Sequence, residues 1–423
     1  MAARHIVAEQ ACSFLSASTD PFHAVFSSIQ KLKAAGFLSL RSNNKAIVPG
    51  GKYYYDLHHS TLVAFTVGNQ FNPTRSRFKI IGGHTDSPVL KVKPRSKIPS
   101  SHGVTRLGVE TYGGGLWHTW LDRDLSLSGK VLVRNQSGDI QHRLLQLRDP
   151  IARVSSLCIH LQSAEERKAL ELNKERHTIP ILATSDGMSV AEEAARQLNE
   201  HDTWIRGQDP MLIQRIAQEL DVDPSQIADW DLNLYDTQAP TIGGINKDFV
   251  YSARLDNLAT VFCAISALVD HSQKETIESE ADISMVVCFD HEEVGSVSSH
   301  GAGSPVLEDA VRRISSALFR DTSSTFDLMN PYEFYSDLVQ RSFCLSMDQA
   351  HAIHPNYASK HEAQHAPLLN QGIVVKTNSN QRYTTNSLTG FLVRELARTC
   401  DIPLQEFAGT FPNRVCAAML LFY

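Results

Sequence analysis

Three short segments each place possible metal ligands or acid–base groups just beyond an apolar run. His84 and Asp86 follow residues 78–81 and two glycines, Glu292 and Glu293 follow residues 283–289 and the pair Asp290-His291, and Asp348 follows residues 343–347. Imidazole and carboxylate groups are typical zinc ligands, and a carboxylate can also act as a general base. If the three segments meet in the fold, the chemistry they indicate is metal-assisted hydrolysis.

The apolar runs predict the elements that would bring these groups together. Short apolar segments that stop abruptly at polar residues are typical of buried strands in a parallel sheet. Ligands collect at the carboxyl ends of such strands in open α/β sheets. We therefore expect the three segments to be neighbouring strands whose polar ends share one crevice.

Asp256 is a further candidate, since it lies just before a helix predicted over residues 257–268. It is the best candidate to bridge two metal ions about 3.5–4 Å apart. Only one of two adjacent glutamates can face a metal, so we assign Glu293 as a ligand and Glu292 as the general base. Asp86 is expected to accept the second imidazole N–H of His84.

Each of these motifs alone also fits a turn, a helix cap or a solvated surface. An HxD segment is common in turns, and adjacent glutamates usually face solvent. The metal-site interpretation depends on their recurrence after buried-strand patterns.

The length of 423 residues favours two domains over one. We predict a catalytic α/β domain formed by residues 1–94 and 246–423, interrupted by an inserted domain over residues 95–245. An amphipathic N-terminal helix is predicted with one apolar side formed by Phe14, Phe22, Val25, Phe26 and Ile29. Further helices are predicted over residues 191–198, 212–220 and 387–398.

Composition and charge exclude several classes of function. Basic residues number 40 and acidic residues 46, for a net charge of −6, and there is no dense basic run, so no nucleic-acid partner is expected. Seven cysteines without CxxC spacing favour reduced thiols and a cytoplasmic protein. The first residues show no signal-peptide core, and no apolar stretch reaches the ~20 residues that cross a bilayer, so no membrane partner is expected.

Several longer motifs resemble those of the aspartyl aminopeptidases, a family of dizinc exopeptidases. They occupy residues 82–94, 112–131, 252–257, 290–296, 347–357 and 380–383. The resemblance implies a three-layer, zinc-peptidase-like α/β catalytic domain with an inserted, mainly β dimerisation domain. It also implies two zinc ions per subunit, removal of N-terminal Asp or Glu from peptides, and a homo-oligomer of the dodecameric family type.

The same resemblance implies a role for individual residues. His84, Asp256 and Asp348 would hold one zinc, and Asp256 would bridge to a second zinc held by Glu293. Glu292 would be the general base, with Asp86 as its catalytic companion. The implied substrate-binding residues are His351, Lys376, Tyr383 and, from a neighbouring subunit, His160.

The sequence departs from the family pattern after about residue 405. The family has a further histidine ligand for the second zinc, but no histidine follows His365 here. We therefore expect an incomplete second zinc site, a shortened catalytic domain and reduced activity. Two alternatives remain: a catalytically impaired subunit with an assembly or cargo role, and a dizinc aminopeptidase of different specificity.

Overall fold

The computed structural model describes residues 2–41, 46–184, 203–322 and 330–408. The strands are β1 Leu38–Ser39, β2 Lys52–Leu57, β3 Thr61–Val67, β4 Phe78–His84, β5 Val89–Lys97, β6 Val104–Tyr112, β7 Leu125–Arg134, β8 Ile140–Gln146, β9 Ile181–Thr184, β10 Ile227–Asp236, β11 Thr241–Gly243, β12 Phe249–Tyr251, β13 Ile283–Phe289, β14 Phe343–Ser346, β15 Ile373–Thr377 and β16 Leu404–Ala408. The helices are α1 Ala2–Ala17, α2 Pro21–Ala34, α3 Ala164–Lys168, α4 Pro210–Leu220, α5 Leu255–His271, α6 Lys274–Ser279, α7 Val306–Thr322, α8 Pro331–Gln340 and α9 Ser387–Thr399.

The chain forms two compact units, each discontinuous in sequence. The first unit contains residues 1–30 and 85–254, and the second contains residues 31–84 and 255–423. The N-terminal helical segment thus groups with the first unit, where the Lys130 ammonium lies 4.6 Å from the centre of the Phe22 ring. The functional division predicted at residues 94 and 245 stays a prediction.

The second unit is built on a six-stranded sheet of order β1-β2-β3-β13-β4-β14. Strand β4 pairs in parallel with β13 on one side and β14 on the other, with His84 opposite Phe289 and Gly82 opposite Ser346. The three strands predicted from sequence are therefore neighbours, as expected. Their carboxyl ends lie at one edge of the sheet.

Helices cover both faces of this sheet. Alternate residues of β13, such as Met285 and Val287, join a buried core with residues of α7 and α8. The intervening Val286 and Cys288 are also buried and point to the opposite face, and α5 packs against β4 and β13. The predicted α/β class is confirmed for this unit.

The first unit is mainly β, with a six-stranded sheet of order β8-β7-β10-β5-β6-β9. Its helix α4 begins after Asp209, whose carboxylate accepts hydrogen bonds from the Met211 and Leu212 amides. The buried face of α4 joins the core that β7 and β10 form. The helix predicted over residues 212–220 is confirmed.

The N-terminal prediction of one helix was wrong. The segment forms two helices, α1 and α2, because the first helix ends at Ala17 and Pro21 starts a new helix. Phe26, predicted to lie on the apolar side, is 49% exposed, whereas Phe22 and Val25 are buried.

Helices α5 and α9 confirm the predictions over residues 257–268 and 387–398. The helix predicted over residues 191–198 and the altered C-terminal residues after 408 lie outside the described residues. No helix in the described part of the chain is both long and apolar enough to span a bilayer.

Candidate metal centre

His84, Asp256 and Asp348 converge in the second unit. His84 Nε2 lies 3.3 Å from Asp256 Oδ1 and 3.6 Å from Asp348 Oδ1. Ligands about 2.0–2.1 Å from a tetrahedral zinc ion are about 3.3 Å from one another. The spacing and the donor set of one imidazole and two carboxylates therefore fit a common zinc ion.

Three elements supply these side chains, and Asn257 connects two of them. His84 ends β4, Asp348 follows β14, and Asp256 occupies a non-helical position in the first turn of α5. The buried Asn257 side chain donates a hydrogen bond of 2.9 Å to the Met347 carbonyl, directly before Asp348. No sequence pattern had singled out Asn257, although an amide directly after a candidate ligand could have indicated such a positioning role.

The two glutamates lie in a single-turn 3₁₀ helix, Glu292–Val294, beyond the end of β13. Glu292 Oε2 is 3.7 Å from His84 Nε2, and its side chain is largely buried. Glu292 is therefore placed beside the candidate ligands. The assignments of Glu293 as ligand and Glu292 as base stay predictions.

The ionisation of Asp348 suits a metal ligand. Burial raises the pKa of Asp348, but its close interaction with His84 and the positive charge of Lys376 outweigh burial and lower this pKa to about 2. Lys376 Nζ is 3.9 Å from Asp348 Oδ2. Asp348 is consequently a carboxylate over the physiological pH range, as metal binding requires.

A cavity of about 410 Å³ adjoins the metal centre. Strands β14 and β15 line it, together with Asp348, Gln349, Lys376 and Tyr383. Lys376 donates a hydrogen bond of 2.7 Å to the Gln349 carbonyl, and its ammonium lies 5.8 Å from the centre of the Tyr383 ring. Two of the predicted substrate-binding residues thus share a cavity with a candidate zinc ligand.

His351, a third predicted substrate residue, is exposed on the segment after Asp348. Its ring lies edge-on to His361 and to Phe407, with ring centroids 5.4 Å and 5.3 Å apart. These contacts restrict the direction of the imidazole. Its contact with substrate stays a prediction.

Asp86 and His160 belong to the first unit. Asp86 is buried, and its carboxylate accepts a hydrogen bond of 2.7 Å from the Tyr112 hydroxyl, a partner that sequence analysis missed. His160 is exposed in the 3₁₀ helix Ile159–Leu161. The proposed roles of both residues stay predictions.

The described residues contain a second group of possible metal ligands: Asp290, His291 and His300. The group was not predicted from the sequence, because a loop separates His300 from Asp290 and His291. These residues differ from Asp256 and Glu293, the pair expected at the second zinc.

The amino-acid sequence is similar to those of known aminopeptidases. Residues 14–415 match the family model described as aminopeptidase I zinc metalloprotease (M18). A probable aspartyl aminopeptidase of Ricinus communis is 39% identical over 93% of this chain and 82% of its own length. The aspartyl aminopeptidase of Aspergillus oryzae is 40% identical with the same coverage.

Solved structures with similar folds extend this result. A cryo-EM structure of the Ape4 and Nbr1 complex aligns with a TM-score of 0.86 and 35% identity, covering 98% of this chain and 76% of the other. The mApe1 dodecamer of Saccharomyces cerevisiae aligns with a TM-score of 0.80 and 28% identity, covering 97% and 85%.

Proposed function

The chain belongs to the M18 family of zinc metalloproteases, and on that premise we propose that it removes N-terminal Asp or Glu from peptides. The observation that carries the proposal is the position of Lys376, which lines the same cavity as the candidate zinc ligand Asp348. An ammonium group there can bind the carboxylate of an acidic side chain. The aspartyl aminopeptidase names of the relatives support this specificity.

The residues of the centre suit peptide hydrolysis. His84, Asp256 and Asp348 would hold zinc, with Glu293 and Asp256 at a second ion; when bound, zinc polarises the peptide carbonyl. Glu292 would take the proton of the attacking water and deliver it to the leaving amine. Asp86 would support this step as the companion of the base.

We also propose a homo-oligomer of the dodecameric type, like the mApe1 dodecamer of Saccharomyces cerevisiae. Leu157, Ile159 and Leu161 are exposed apolar side chains on the segment that carries His160. Such a segment suits a subunit interface, from which His160 would reach the substrate of a neighbouring subunit. The six cysteines that the structure describes are free thiols, which supports a reducing compartment such as the cytoplasm.

The specificity is tested with Asp-, Glu- and Leu-anilides. We expect Lys376→Met to lower kcat/KM for the Asp substrate by roughly 10- to 100-fold, the loss of one charge-assisted hydrogen bond. The Leu substrate should change little because it carries no charge for Lys376 to bind. Lys274→Met, which removes an exposed ammonium paired with Glu278, is the matched control.

An equal loss on the Asp and Leu substrates would contradict the proposed role of Lys376. Preference of the unaltered enzyme for the Leu substrate would favour a different specificity. A normally assembled oligomer without turnover and with fewer than two zinc ions per chain would favour the impaired-subunit alternative.

A further inference from the structure

The second group of possible ligands follows directly after β13. Asp290 Oδ2 lies 3.4 Å from His291 Nε2 and 3.6 Å from His300 Nε2. The ligand atoms of the three residues all lie within 4.8 Å of one another. None of the three belongs to the set expected to hold zinc at the His84 centre.

Both imidazoles turn the same nitrogen toward Asp290. The other nitrogen of each ring is hydrogen-bonded to a serine hydroxyl: His291 Nδ1 to Ser298 Oγ at 2.7 Å, and His300 Nδ1 to Ser299 Oγ at 2.9 Å. Metal-binding histidines almost always use their second nitrogen in this way, which fixes the ring orientation. Two oriented Nε2 atoms and one carboxylate oxygen therefore face a common point.

The distances favour a cation between these atoms. Hydrogen bonds from nitrogen to oxygen are most often 2.9–3.0 Å long. The 3.4 Å and 3.6 Å separations are longer and close to the ~3.3 Å expected between ligands of tetrahedral zinc. They also match the 3.3 Å and 3.6 Å separations around His84.

The backbone holds the group in place. The Thr61 hydroxyl donates to the His300 carbonyl at 2.8 Å and accepts from the Asp290 amide at 2.9 Å, and Thr61 itself is buried. His291 adopts a left-handed conformation with φ of 66°, and its carbonyl accepts from the Ser296 amide at 2.9 Å. Through Thr61, these contacts hold Asp290 at the start of the loop close to His300 before any ion binds.

Burial adds an electrostatic reason for a cation. The side chains of Asp290 and His300 are only 7% and 13% exposed. A buried carboxylate is costly unless positive charge or hydrogen-bond donors compensate it. The His291 amide donates a hydrogen bond of 2.8 Å to Asp290 Oδ1, whereas Oδ2 is the oxygen that faces the two imidazoles. Two imidazoles and one carboxylate are a common donor set for zinc, and they leave a fourth position for water.

We propose that Asp290, His291 and His300 bind one zinc ion in addition to the zinc of the His84 centre. This ion joins the end of β13 to the loop before α7. His291 directly precedes Glu292, so the ion also fixes the backbone from which Glu292 and Glu293 project.

Zinc content of the full-length protein tests the proposal. The protein is saturated with zinc, freed of excess metal, and the zinc per chain is measured by mass spectrometry. We expect His300→Asn to contain one zinc fewer than the unaltered protein. His58→Asn is the matched control, since its ring lies 4.5 Å from the His300 ring but outside the ligand group; its zinc content should not change.

Anomalous diffraction at the zinc edge on the unaltered protein provides a second measurement that needs no variant. We expect a peak about 2.0–2.1 Å from the Nε2 atoms of His291 and His300. The absence of that peak, an unchanged zinc content in His300→Asn, or an equal loss in His58→Asn would overturn the proposal. His84→Asn should keep the zinc at Asp290, His291 and His300. The test of this site therefore does not depend on the proposed peptidase activity.

Discussion

Glu292 and Glu293 carry the same functional group at adjacent positions, and the different roles proposed for them depend on where each carboxylate points. The single turn that holds them lies between two left-handed residues, His291 and Gly295, with φ of 66° and 100°. In this geometry Glu292 Oε2 lies 3.7 Å from His84 Nε2. A general base must reach the attacking water, whereas a ligand must reach the metal.

At the residue scale, we therefore expect opposite phenotypes from the two conservative variants. Glu292→Gln should lower kcat by about 10²- to 10⁴-fold while the zinc content stays unchanged, because an amide cannot accept the proton. Glu293→Gln should lower the zinc content, because it removes the carboxylate proposed as a ligand. Steady-state kinetics and metal analysis of both proteins provide the measurement. Loss of zinc in Glu292→Gln would contradict the assignment and indicate that Glu292 is the ligand.

At the scale of elements, the first turn of α2 depends on a buried carboxylate. Asp20 Oδ1 accepts a hydrogen bond of 3.0 Å from the His23 amide, and Asp20 Oδ2 lies 2.6 Å from His23 Nδ1. Burial raises the pKa of Asp20, but the charge of His23 and hydrogen bonds from His23 and Ser128 outweigh it, so this pKa is lowered. The carboxylate both caps the helix and pairs with the imidazole.

Asp20→Ala should therefore reduce the free energy of unfolding by about 2–3 kcal/mol at pH 7, the sum of a lost cap and a buried group left without its partner. Because the pKa of Asp20 is lowered in the folded state, its stabilisation is present above the unfolded pKa near 3.8 and is lost as pH falls through the folded pKa. The difference in the free energy of unfolding between the unaltered protein and Asp20→Ala should become smaller below about pH 4.

Urea unfolding across this pH range measures the effect. Asp223→Ala is the control, since Asp223 caps an exposed turn through a 2.9 Å bond from the Ser225 amide. Asp223→Ala should lower the free energy of unfolding by only about 0.5–1 kcal/mol. A cost for Asp20→Ala that equals this control, or that does not change with pH, would contradict the assigned role of Asp20.

At the scale of the whole molecule, the proposed oligomer makes each active site depend on two subunits. If His160 acts on a neighbour's substrate, a subunit with His160→Ala still carries Glu292, and a subunit with Glu292→Gln still carries His160. Each variant alone should have little activity. Random mixed assemblies should recover about a quarter of the unaltered activity, because half of the sites keep Glu292 and half of those receive His160.

Co-expression of the two variants with different affinity tags, followed by purification through both tags, gives the mixed assemblies. Light scattering should give a mass about twelve times the 47.0 kDa chain for the unaltered protein. Mixed assemblies that are no more active than the separate variants would show that His160 does not act across subunits.

The local features of this protein could be predicted from its amino-acid sequence. Apolar runs that lead toward His84, Glu292 and Asp348 predicted three neighbouring strands, because burial on both faces leaves a continuous apolar pattern. The amphipathic pattern of α5 was equally clear. The donor types were enough to indicate zinc chemistry.

Which residues distant in sequence come into contact depends on the folded chain. The 3.3 Å approach of Asp256 to His84 and the Asn257 bond to the Met347 carbonyl join segments that no local pattern relates. The grouping of His300 with Asp290 depends on a loop fixed by Thr61 from another strand. Periodicity reports burial along one element, whereas a metal site requires distances between elements, which only the packed chain sets.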